Sequence, residues 1–202
     1  MNILHIDSSA SDAATSHTRR LSAELVDKLK AANPGASVVY RDVAVDRLPH
    51  VDLTIREAWL PDGEKDDALT ATATRSKALV DELKAADVVV IGSPMYNFTV
   101  PSTLKSWIDH VSIAGQTFQY TATGPKGLLS GKAYLALSSG GIYSQGPFAA
   151  VEHLATYLTS ILRFLGIGEV EVVRAEGVAY GPDQDKAAMA SAQERIGTLV
   201  AA

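Results

Sequence analysis

The sequence of 202 residues contains no cysteine. This absence excludes disulfides, thiolate nucleophiles and Cys-ligated zinc or iron–sulfur sites, and we expect no metal. No apolar run approaches the roughly 20 residues that a transmembrane helix needs. The apolar stretch at residues 2–7 is too short and too interrupted for a signal peptide. We therefore expect a cytoplasmic protein without a membrane partner.

Positive charge is also scarce. The formal net charge is −5, charged residues make up 20% of the chain, and no basic block occurs. Nucleic acid is therefore not an expected partner, because its binding depends on neutralising phosphates with Lys and Arg. The hydrophobic content of 47% is ordinary for a globular protein. The length predicts a single domain over residues 1–202.

Two common site signatures are missing as well. The loop at residues 8–18 is rich in hydroxyl residues but has no glycine, so it lacks the G-x-G-x-x-G turn of dinucleotide-binding sites. Asp7, Asp109 and His110 could suggest a hydrolase triad. No G-x-S-x-G nucleophile elbow accompanies them, which argues against a hydrolase.

What is present is an alternation of strand and helix patterns. Residues 88–91 are four consecutive β-branched residues, typical of a strand that is covered on both faces in a parallel sheet. The next helix opens at Pro101 and carries Leu104, Ile108 and Val111 on one face. The other predicted strands are 2–7, 37–43, 132–137 and an edge strand at 169–175. One helix ends at about Ala32, and another runs from about Leu69 to Ala86. A further helix carries apolar residues from Val151 to Leu165 and ends at Gly166, and the last follows a cap at Asp183. Two excursions, 44–67 and 114–131, interrupt this alternation with a short helix near 55–60 and a hairpin near 117–120.

This order of elements predicts an α/β fold. Right-handed crossovers give a three-layer α/β/α sandwich around a five-stranded parallel sheet. Two strand orders are common for such sheets, the dinucleotide-binding one and the flavodoxin-like 2-1-3-4-5, and both place ligands at the carboxyl ends of the strands. In the flavodoxin-like order, the loops after the first, third and fourth strands meet. These are the three unusual loops of the chain.

The first of these loops suits an anion. It offers the hydroxyls of Ser9, Ser16 and Thr18 beside a helix start near residue 17, where free N–H groups and the helix dipole attract negative charge. A terminal phosphate is one interpretation, and simple capping of the helix by Ser16 is the other. His17 either adds positive charge beside a phosphate or is a solvated residue at the helix start.

The other two loops suit a flat ring. Met95, Tyr96, Asn97 and Phe98 can cover such a ring, although a methionine beside aromatics often only fills core. The turn Ser138-Ser139-Gly140-Gly141 has two glycines, which either let the backbone approach a ligand or simply make a turn. A phosphate at one end and a planar heterocycle at the other is the shape of flavin mononucleotide (FMN). The flavin itself performs hydride chemistry, so no catalytic side chain is required.

Five motifs occur in order along the chain: Pro94-Met95-Tyr96-Asn97-Phe98 with Pro101 and Leu104-Lys105; Thr117-Phe118-Gln119-Tyr120-Thr121 with Gly124-Pro125 and Gly127-Leu128; Ser138-Ser139-Gly140-Gly141-Ile142; Phe164-Leu165-Gly166-Ile167; and Ala175-Glu176-Gly177 with Tyr180-Gly181-Pro182. With these motifs at this spacing, the chain resembles the FMN-dependent NADH-azoreductases, which are flavodoxin-like NAD(P)H:quinone oxidoreductases, over essentially its whole length.

The resemblance implies the site residues. FMN would be held by Ser9, by Ser16-His17-Thr18 at its phosphate, by Met95 to Phe98 along the isoalloxazine, and by Ser138 to Gly141 at the pyrimidine end. It also implies a homodimer with two sites near the interface. The substrate pocket would be lined by Asn97, Phe98, Tyr120, Tyr143 and Phe164.

The resemblance implies the reaction as well. NADH, with NADPH as an alternative donor, would reduce the flavin and leave, and a quinone or azo compound would then take two electrons in a ping-pong cycle. Cleavage of an azo bond to two amines needs four electrons and hence two cycles. The alternative is an electron carrier or redox-sensing flavin module without turnover of small molecules.

The charge and the excursions bear on that alternative. Electron carriers usually have a strongly acidic docking rim, and a net charge of −5 is modest. Excursions 44–67 and 114–131 also favour a walled pocket over an exposed flavin edge. Trp59, in the first excursion, is either a lid over the site or an anchor for the excursion, and we favour the anchor.

Overall fold

Strands and helices alternate through the part of the chain that this computed structural model describes, residues 1–60 and 66–201. The strands are β1 (Asn2–Asp7), β2 (Ser37–Asp42), β3 (Val88–Pro94), β4 (Phe118–Thr121), β5 (Gly124–Gly127), β6 (Lys132–Ser139) and β7 (Glu169–Glu176). The helices are α1 (His17–Ala32), α2 (Leu53–Ala58), α3 (Asp67–Ala85), α4 (Ser102–Val111), α5 (Leu154–Leu165) and α6 (Pro182–Ala201), with a 3₁₀ turn at Ala149–Val151.

Five of the strands form one parallel sheet in the order β2-β1-β3-β6-β7. β4 and β5 form a separate antiparallel hairpin. Without that hairpin the order is 2-1-3-4-5, so the predicted flavodoxin-like sheet is confirmed, as is the edge position of the last strand. The register places Asp7 of β1 opposite both Asp42 of β2 and Gly92 of β3, and Pro94 of β3 opposite Ser138 of β6.

Helices bury both faces of the sheet. On one face, Val88 and Val90 of β3 belong to a core cluster with side chains of α1 and α6, such as Leu25. On the other face, Val89 and Ile91 belong to a cluster with side chains of α3, α4 and α5. Alternation along one strand therefore supplies both cores, and each such side chain contributes about 1.5–3 kcal/mol on burial. None of the described helices is long and apolar enough to cross a membrane.

Two strands are longer than their sequence pattern predicts. The pattern predicts loops from Gly92 and from Ser138, but β3 continues to Pro94 and β6 continues to Ser139. Ser138 pairs with residues of both neighbouring strands, β3 and β7. Backbone hydrogen bonds to these strands keep small and polar residues extended, which side-chain hydrophobicity does not indicate.

Two helix starts also differ from prediction, α4 by one position and α6 by two. α4 begins at Ser102, because Pro101 has an extended ψ of 145° and only its carbonyl takes part, accepting a hydrogen bond from the N–H of Lys105 at 3.0 Å. α6 begins at Pro182, whose ring fixes φ near the helical value. Asp183 therefore lies in the first turn and is not the cap. Its negative charge is stabilised there by the positive end of the helix dipole.

The start of α5 is set by a buried carboxylate. The prediction of a helix that already includes Val151 is wrong, since that residue ends the 3₁₀ turn and α5 begins at Leu154. Glu152 accepts hydrogen bonds from the N–H groups of Leu154 at 3.1 Å and Ala155 at 2.7 Å. The helix ends, as predicted, at Gly166, which has a left-handed φ of 111°.

The first excursion is fastened to the body by a chain of buried hydrogen bonds. The imidazole of His110, fully buried on α4, donates from Nε2 to the carbonyl of Pro49 at 3.0 Å. Its Nδ1 then accepts from the hydroxyl of Ser76 at 2.8 Å, and that hydroxyl accepts from the indole N–H of Trp59 at 2.9 Å. The anchoring interpretation of Trp59 is therefore confirmed. Residues 61–65 of the predicted excursion lie outside the described residues.

This chain of bonds requires a neutral imidazole, which leads to a pH dependence. Burial lowers the pKa of His110 below its usual value of 6.5. The unfolded state therefore binds a proton near pH 6.5 that the folded state binds only at lower pH, so stability is lost as the pH falls below about 6.5. We expect the urea concentration at the unfolding midpoint of the wild type to decrease as the pH is lowered from about 7.5 to 5. The midpoint of His110→Gln should decrease less over the same range. Equal slopes would contradict this assignment.

Candidate functional site

The loops after β1, β3 and β6 meet at the carboxyl edge of the sheet, as predicted. Hydrogen bonds join the loops to one another or to the end of the neighbouring strand, through main-chain and side-chain groups. The three hydrogen bonds run from the N–H of Ser8 to the carbonyl of Gly92 at 3.0 Å, from the N–H of Ala10 to the hydroxyl of Tyr96 at 3.2 Å, and from the N–H of Met95 to the carbonyl of Ser138 at 2.8 Å. The three loops therefore form one continuous surface.

The first loop ends in a capped helix. The hydroxyl of Ser16 accepts a hydrogen bond from the N–H of Arg19 at 3.3 Å and lies 3.2 Å from the hydroxyl of Thr18, so the capping interpretation of Ser16 is confirmed. Capping does not use all the donors. The N–H groups of His17 and Thr18 meet no acceptor within the described residues, and such free groups at a helix start attract anions.

His17 is fastened to another helix. Its Nε2 lies 2.6 Å from a carboxylate oxygen of Asp185 in the first turn of α6, and its side chain is only partly exposed. It is therefore not simply a solvated residue. The pair joins the start of α1 to the start of α6 beside the free N–H groups. Asp185, 168 residues away, was not identified from the sequence.

The loop after β3 contains a strained turn. Tyr96 and Thr99 exchange backbone hydrogen bonds of 3.0 and 3.2 Å, and the two residues between them, Asn97 and Phe98, have φ values of 50° and 70°. Positive φ at both central positions is the pattern of a type I′ turn. It is tolerated by Asn but costs about 1–3 kcal/mol for a bulky residue such as Phe98. The N–H of His153 holds the turn by donating to the Phe98 carbonyl at 3.0 Å.

Met95 and Tyr96 have structural roles in the same loop. The side chain of Met95 is half-buried and packs against the core cluster of α3, α4 and α5. The hydroxyl of Tyr96 accepts a hydrogen bond from the N–H of Ala10, which places the Tyr96 ring between the loop after β1 and the loop after β3. Asn97 and Phe98 are the exposed tip, with Phe98 46% exposed.

The turn after β6 presents backbone donors. The carbonyls of Gly140 and Gly141 accept hydrogen bonds from the segment 177–179 that follows β7. Their N–H groups donate to no acceptor in the part of the chain that the structure describes. Neither glycine has a positive φ. At Gly141 an added Cβ would come within 3.1 Å of the Tyr143 ring, so this glycine makes room for that ring.

Aromatic rings continue the surface beyond this turn. The ring of Tyr143 lies edge-on to Phe98 with 5.8 Å between centroids, and 6.4 Å from Phe148. The carboxylate of Glu176, at the end of β7, accepts hydrogen bonds from the N–H groups of Tyr143 and Ser144, both at 2.9 Å. Sequence reasoning assigned no role to Glu176 or Phe148. The Ala175-Glu176-Gly177 motif was the available signal for Glu176.

Tyr120 and Phe164 do not lie beside the Phe98, Tyr143 and Phe148 rings. The Tyr120 and Phe164 rings both pack against Phe118, at centroid distances of 5.5 and 4.7 Å. His153, which bonds to Phe98, directly precedes α5, and Phe164 lies eleven residues further along. At 1.5 Å per residue this separates Phe164 from the Phe98 turn by roughly 16 Å. Within one chain, therefore, the predicted substrate pocket is not assembled.

A buried charge network lies beneath the first loop, and sequence reasoning missed its central residue, Arg19. The guanidinium bonds to both carboxylate oxygens of Asp42 at 2.7 and 3.0 Å. Although partial burial alone raises the pKa of Asp42, the bonds from Arg19 lower it below its usual value. Burial, together with the charges of Asp7 and Asp42, raises the pKa of Tyr40 to about 12. The cross-strand pairing of Asp7 with Asp42 could have indicated a need for a cation here.

A cleft of about 960 Å³ adjoins the site without coinciding with it. Of the predicted cofactor residues, only Ser9 and Tyr96 line it. Its other walls are the chain after β2 and the start of α4, including Arg47 and Ser102. Tyr120 lines a different cleft, of about 810 Å³, with Trp59.

Comparison with known proteins identifies the family. The family described as having a flavodoxin-like fold matches residues 1–200. An FMN-dependent NADH:quinone oxidoreductase of Ralstonia nicotianae is 48% identical, over 99% of this chain and 97% of that protein. An FMN-dependent NADH:quinone oxidoreductase of Rhizobium meliloti is 47% identical, over 97% of this chain and 95% of that protein.

Solved structures agree with these relatives. A crystal structure of an azoreductase from Bacillus anthracis superposes with a TM-score of 0.91 at 28% identity, covering 98% of both chains. An FMN-dependent NADH-azoreductase from the same species, solved in complex with FMN, gives 0.86 at 28% identity, covering 99% of this chain and 100% of that chain. The predicted resemblance is confirmed: the chain belongs to the flavodoxin-like family of the FMN-dependent NADH:quinone oxidoreductases.

Proposed function

We propose that the chain is an FMN-dependent NADH:quinone oxidoreductase that also cleaves aromatic azo compounds to amines. Relatives with 47–48% identity over nearly the whole chain are named for the first activity. Similar structures are named for the second, and one of them contains FMN. The predictions of an enzyme, of FMN as cofactor and of NADH as donor are confirmed by these relatives, and the electron-carrier alternative is not favoured.

The observation that carries the proposal is the joining of three loops at the carboxyl edge of the sheet. Bonds from Ser8 to Gly92, from Ala10 to Tyr96 and from Met95 to Ser138 make one surface. At both ends of it, at residues 17–18 and at residues 140–141, backbone N–H groups have no acceptor among the described residues. An elongated ligand with a phosphate at one end and hydrogen-bond acceptors at the other fits this arrangement.

At the phosphate end, we assign the N–H groups of His17 and Thr18 and the hydroxyls of Ser9 and Ser16 to FMN. The hydroxyl of Ser9 accepts from the N–H of Ser11 at 3.2 Å, which leaves its own proton free to donate. The imidazole of His17, paired with Asp185, lies next to these groups. These residues fit a terminal phosphate because they offer several donors at a positive helix start.

At the ring end, we assign the Asn97–Phe98 turn and the N–H groups of Gly140 and Gly141. When bound, FMN supplies the hydride chemistry. The exposed tip of the strained turn would lie along the ring, and the free N–H groups of the two glycines would stabilise negative charge at its pyrimidine end. Strain held at a ligand surface is consistent with a functional turn.

The Phe98, Tyr143 and Phe148 rings would receive the acceptor. They form an edge-on aromatic series beside the turn, suited to stacking quinones and aryl azo compounds. We propose that donor and acceptor use this one surface in turn, in a ping-pong cycle. An azo bond would consume two molecules of donor, because its cleavage needs four electrons. NADPH remains an alternative donor in this proposal, and the NADH requirement points to the cytoplasm.

We propose that a second copy completes the pocket. Tyr120 is 76% exposed, and the hairpin that carries it lies near exposed apolar residues of the first excursion, including Leu53 and Leu60 around the same cleft. Because Tyr120 and Phe164 are far from the Phe98 turn of their own chain, they can contribute to a substrate pocket only across a homodimer interface.

Anaerobic stopped-flow spectroscopy tests the function. The FMN-loaded protein, mixed with NADH, should lose its flavin absorbance at a rate that saturates with donor concentration, and a quinone should then restore it. NADPH in place of NADH measures the donor preference. Slow, unsaturating reduction by both nucleotides would instead indicate an electron carrier.

A substitution at Ser16 tests the phosphate assignment without disturbing the helix cap. Asp and Asn both cap helices about as well as Ser. Ser16→Asp adds a negative charge beside the phosphate, so we expect the FMN dissociation constant to rise about 10-fold or more. Ser16→Asn is the matched neutral cap, and its side-chain amide replaces the hydroxyl as a donor. It should therefore lose much less FMN affinity than Ser16→Asp in a fluorescence titration. Unchanged FMN binding by Ser16→Asp would show that the phosphate does not bind at this end.

Sedimentation velocity tests the dimer. Tyr120→Lys should weaken self-association about 10-fold or more, because it places a charge in an apolar contact. Val39→Lys, at an exposed apolar residue of edge strand β2, is the control and should remain dimeric. A monomeric wild type would contradict the shared pocket.

A further inference from the structure

We infer that Arg19 is a positioning residue for the FMN phosphate: it shapes the first loop, residues 8–16, without touching the phosphate. The inference rests on the proposed function, in which that loop binds the phosphate. It assigns to this buried side chain a role in cofactor selection that its place on α1 does not suggest.

All five N–H donors of the Arg19 guanidinium are already used. Two carbonyls of the first loop accept from it, and the remaining acceptors lie on β2. The five bonds are Nε to the carbonyl of Ser11 at 2.8 Å, Nη2 to the carbonyl of Ser9 at 2.7 Å, Nη2 and Nη1 to the carboxylate of Asp42 at 3.0 and 2.7 Å, and Nη1 to the hydroxyl of Tyr40 at 3.1 Å. A bound phosphate would therefore find no free donor on Arg19, so the side chain acts through the loop.

The two bonds to the loop orient two peptide planes. In a trans peptide, the N–H of the next residue points opposite to the carbonyl. With the Ser9 carbonyl directed at Arg19, the N–H of Ala10 points away from it, and it indeed donates to the hydroxyl of Tyr96 at 3.2 Å. With the Ser11 carbonyl held likewise, the N–H of Asp12 is directed away from Arg19 and meets no acceptor among residues 1–60 and 66–201.

The electrostatic consequence favours an anion. Carbonyl oxygens carry partial negative charge and would repel a phosphate, whereas N–H groups attract it. By holding the Ser9 and Ser11 carbonyls inward, Arg19 turns the N–H groups of Ala10 and Asp12 outward, and that of Asp12 is left for a ligand. Its own charge is largely balanced by the two-pronged contact with Asp42, so through-space attraction is the lesser effect.

Asp42 anchors this arrangement to the sheet. It ends β2, pairs in register with Asp7 at the end of β1, and also accepts hydrogen bonds from the N–H groups of Ala44 and Val45. Only 9% of Arg19 is exposed. A lysine keeps the charge but has a single ammonium group with three donors, which cannot reproduce a planar fork bonded to two carbonyls and a carboxylate.

The experiment compares FMN with riboflavin, which lacks the phosphate. Dissociation constants of both would be measured by fluorescence titration of the apoprotein for Arg19→Lys and Arg19→Gln. We expect both variants to raise the FMN constant about 10-fold or more while leaving that of riboflavin within about twofold. Hydrogen exchange of the apoprotein should show lower protection of the Ser11, Thr15 and Ser16 amides, with the interior of α1 unchanged.

Arg41→Lys is the matched control. Arg41 lies on the same strand as Asp42 and bonds through its guanidinium to both carboxylate oxygens of Glu82 and to Asp46, but to nothing in the first loop. Its substitution should leave the ratio of the FMN and riboflavin constants unchanged. If Arg41→Lys changed this ratio as much as Arg19→Lys does, general destabilisation would explain the effect, and the inference would be overturned.

The charge-preserving variant separates the explanations. Wild-type FMN affinity in Arg19→Lys, with loss only in Arg19→Gln, would mean that charge alone matters and would overturn the inference, as would wild-type affinity in both. If the Arg19 variants do not fold, Asp42→Asn, which keeps Arg19 but weakens its anchor, must still raise the FMN constant selectively. A wild type that binds FMN no better than riboflavin would instead refute the phosphate assignment in the proposed function.

Discussion

The parallel ladder between β1, β3 and β6 is the constraint on which the site depends. Because the three strands run in the same direction and in register, their following loops all leave from one edge of the sheet. The extension of β3 to Pro94 and of β6 to Ser139 carries this pairing to the base of the loops. The bond from the N–H of Met95 to the carbonyl of Ser138 in β6 continues the ladder one residue beyond β3.

Most groups that would meet the cofactor are backbone groups, and side chains that do not meet it set their direction. Arg19 holds two carbonyls of the first loop, and Glu176 holds two N–H groups of the loop after β6. The backbone N–H of His153, rather than a side chain, holds the Phe98 carbonyl in the strained turn. Such an arrangement suits a flavoenzyme, because the cofactor supplies the chemistry and the chain supplies shape, orientation and partial charge.

One chain builds only one wall of the proposed pocket. The hairpin β4–β5 and α5 carry Tyr120 and Phe164 to a part of the surface remote from the Asn97–Phe98 turn. The first excursion is anchored near that same surface through Trp59 and His110. In the proposed homodimer, these anchored elements would offer the partner subunit a surface on which to form the second wall.

The sequence by itself determined the layered fold and the three loops, because buried strands, helix faces and loop motifs have short periods that are visible in neighbouring residues. These periods left two strand orders open, and the flavodoxin-like order was predicted from the resemblance to a known family. The sequence also identified Met95 to Phe98 and Ser138 to Gly141 as the residues of two of those loops. Only the tertiary structure paired His17 with Asp185 and Arg19 with Asp42, extended β3 and β6, and separated Tyr120 and Phe164 from the site. These features depend on contacts between residues far apart in the chain, and no local pattern specifies which distant polar groups will meet.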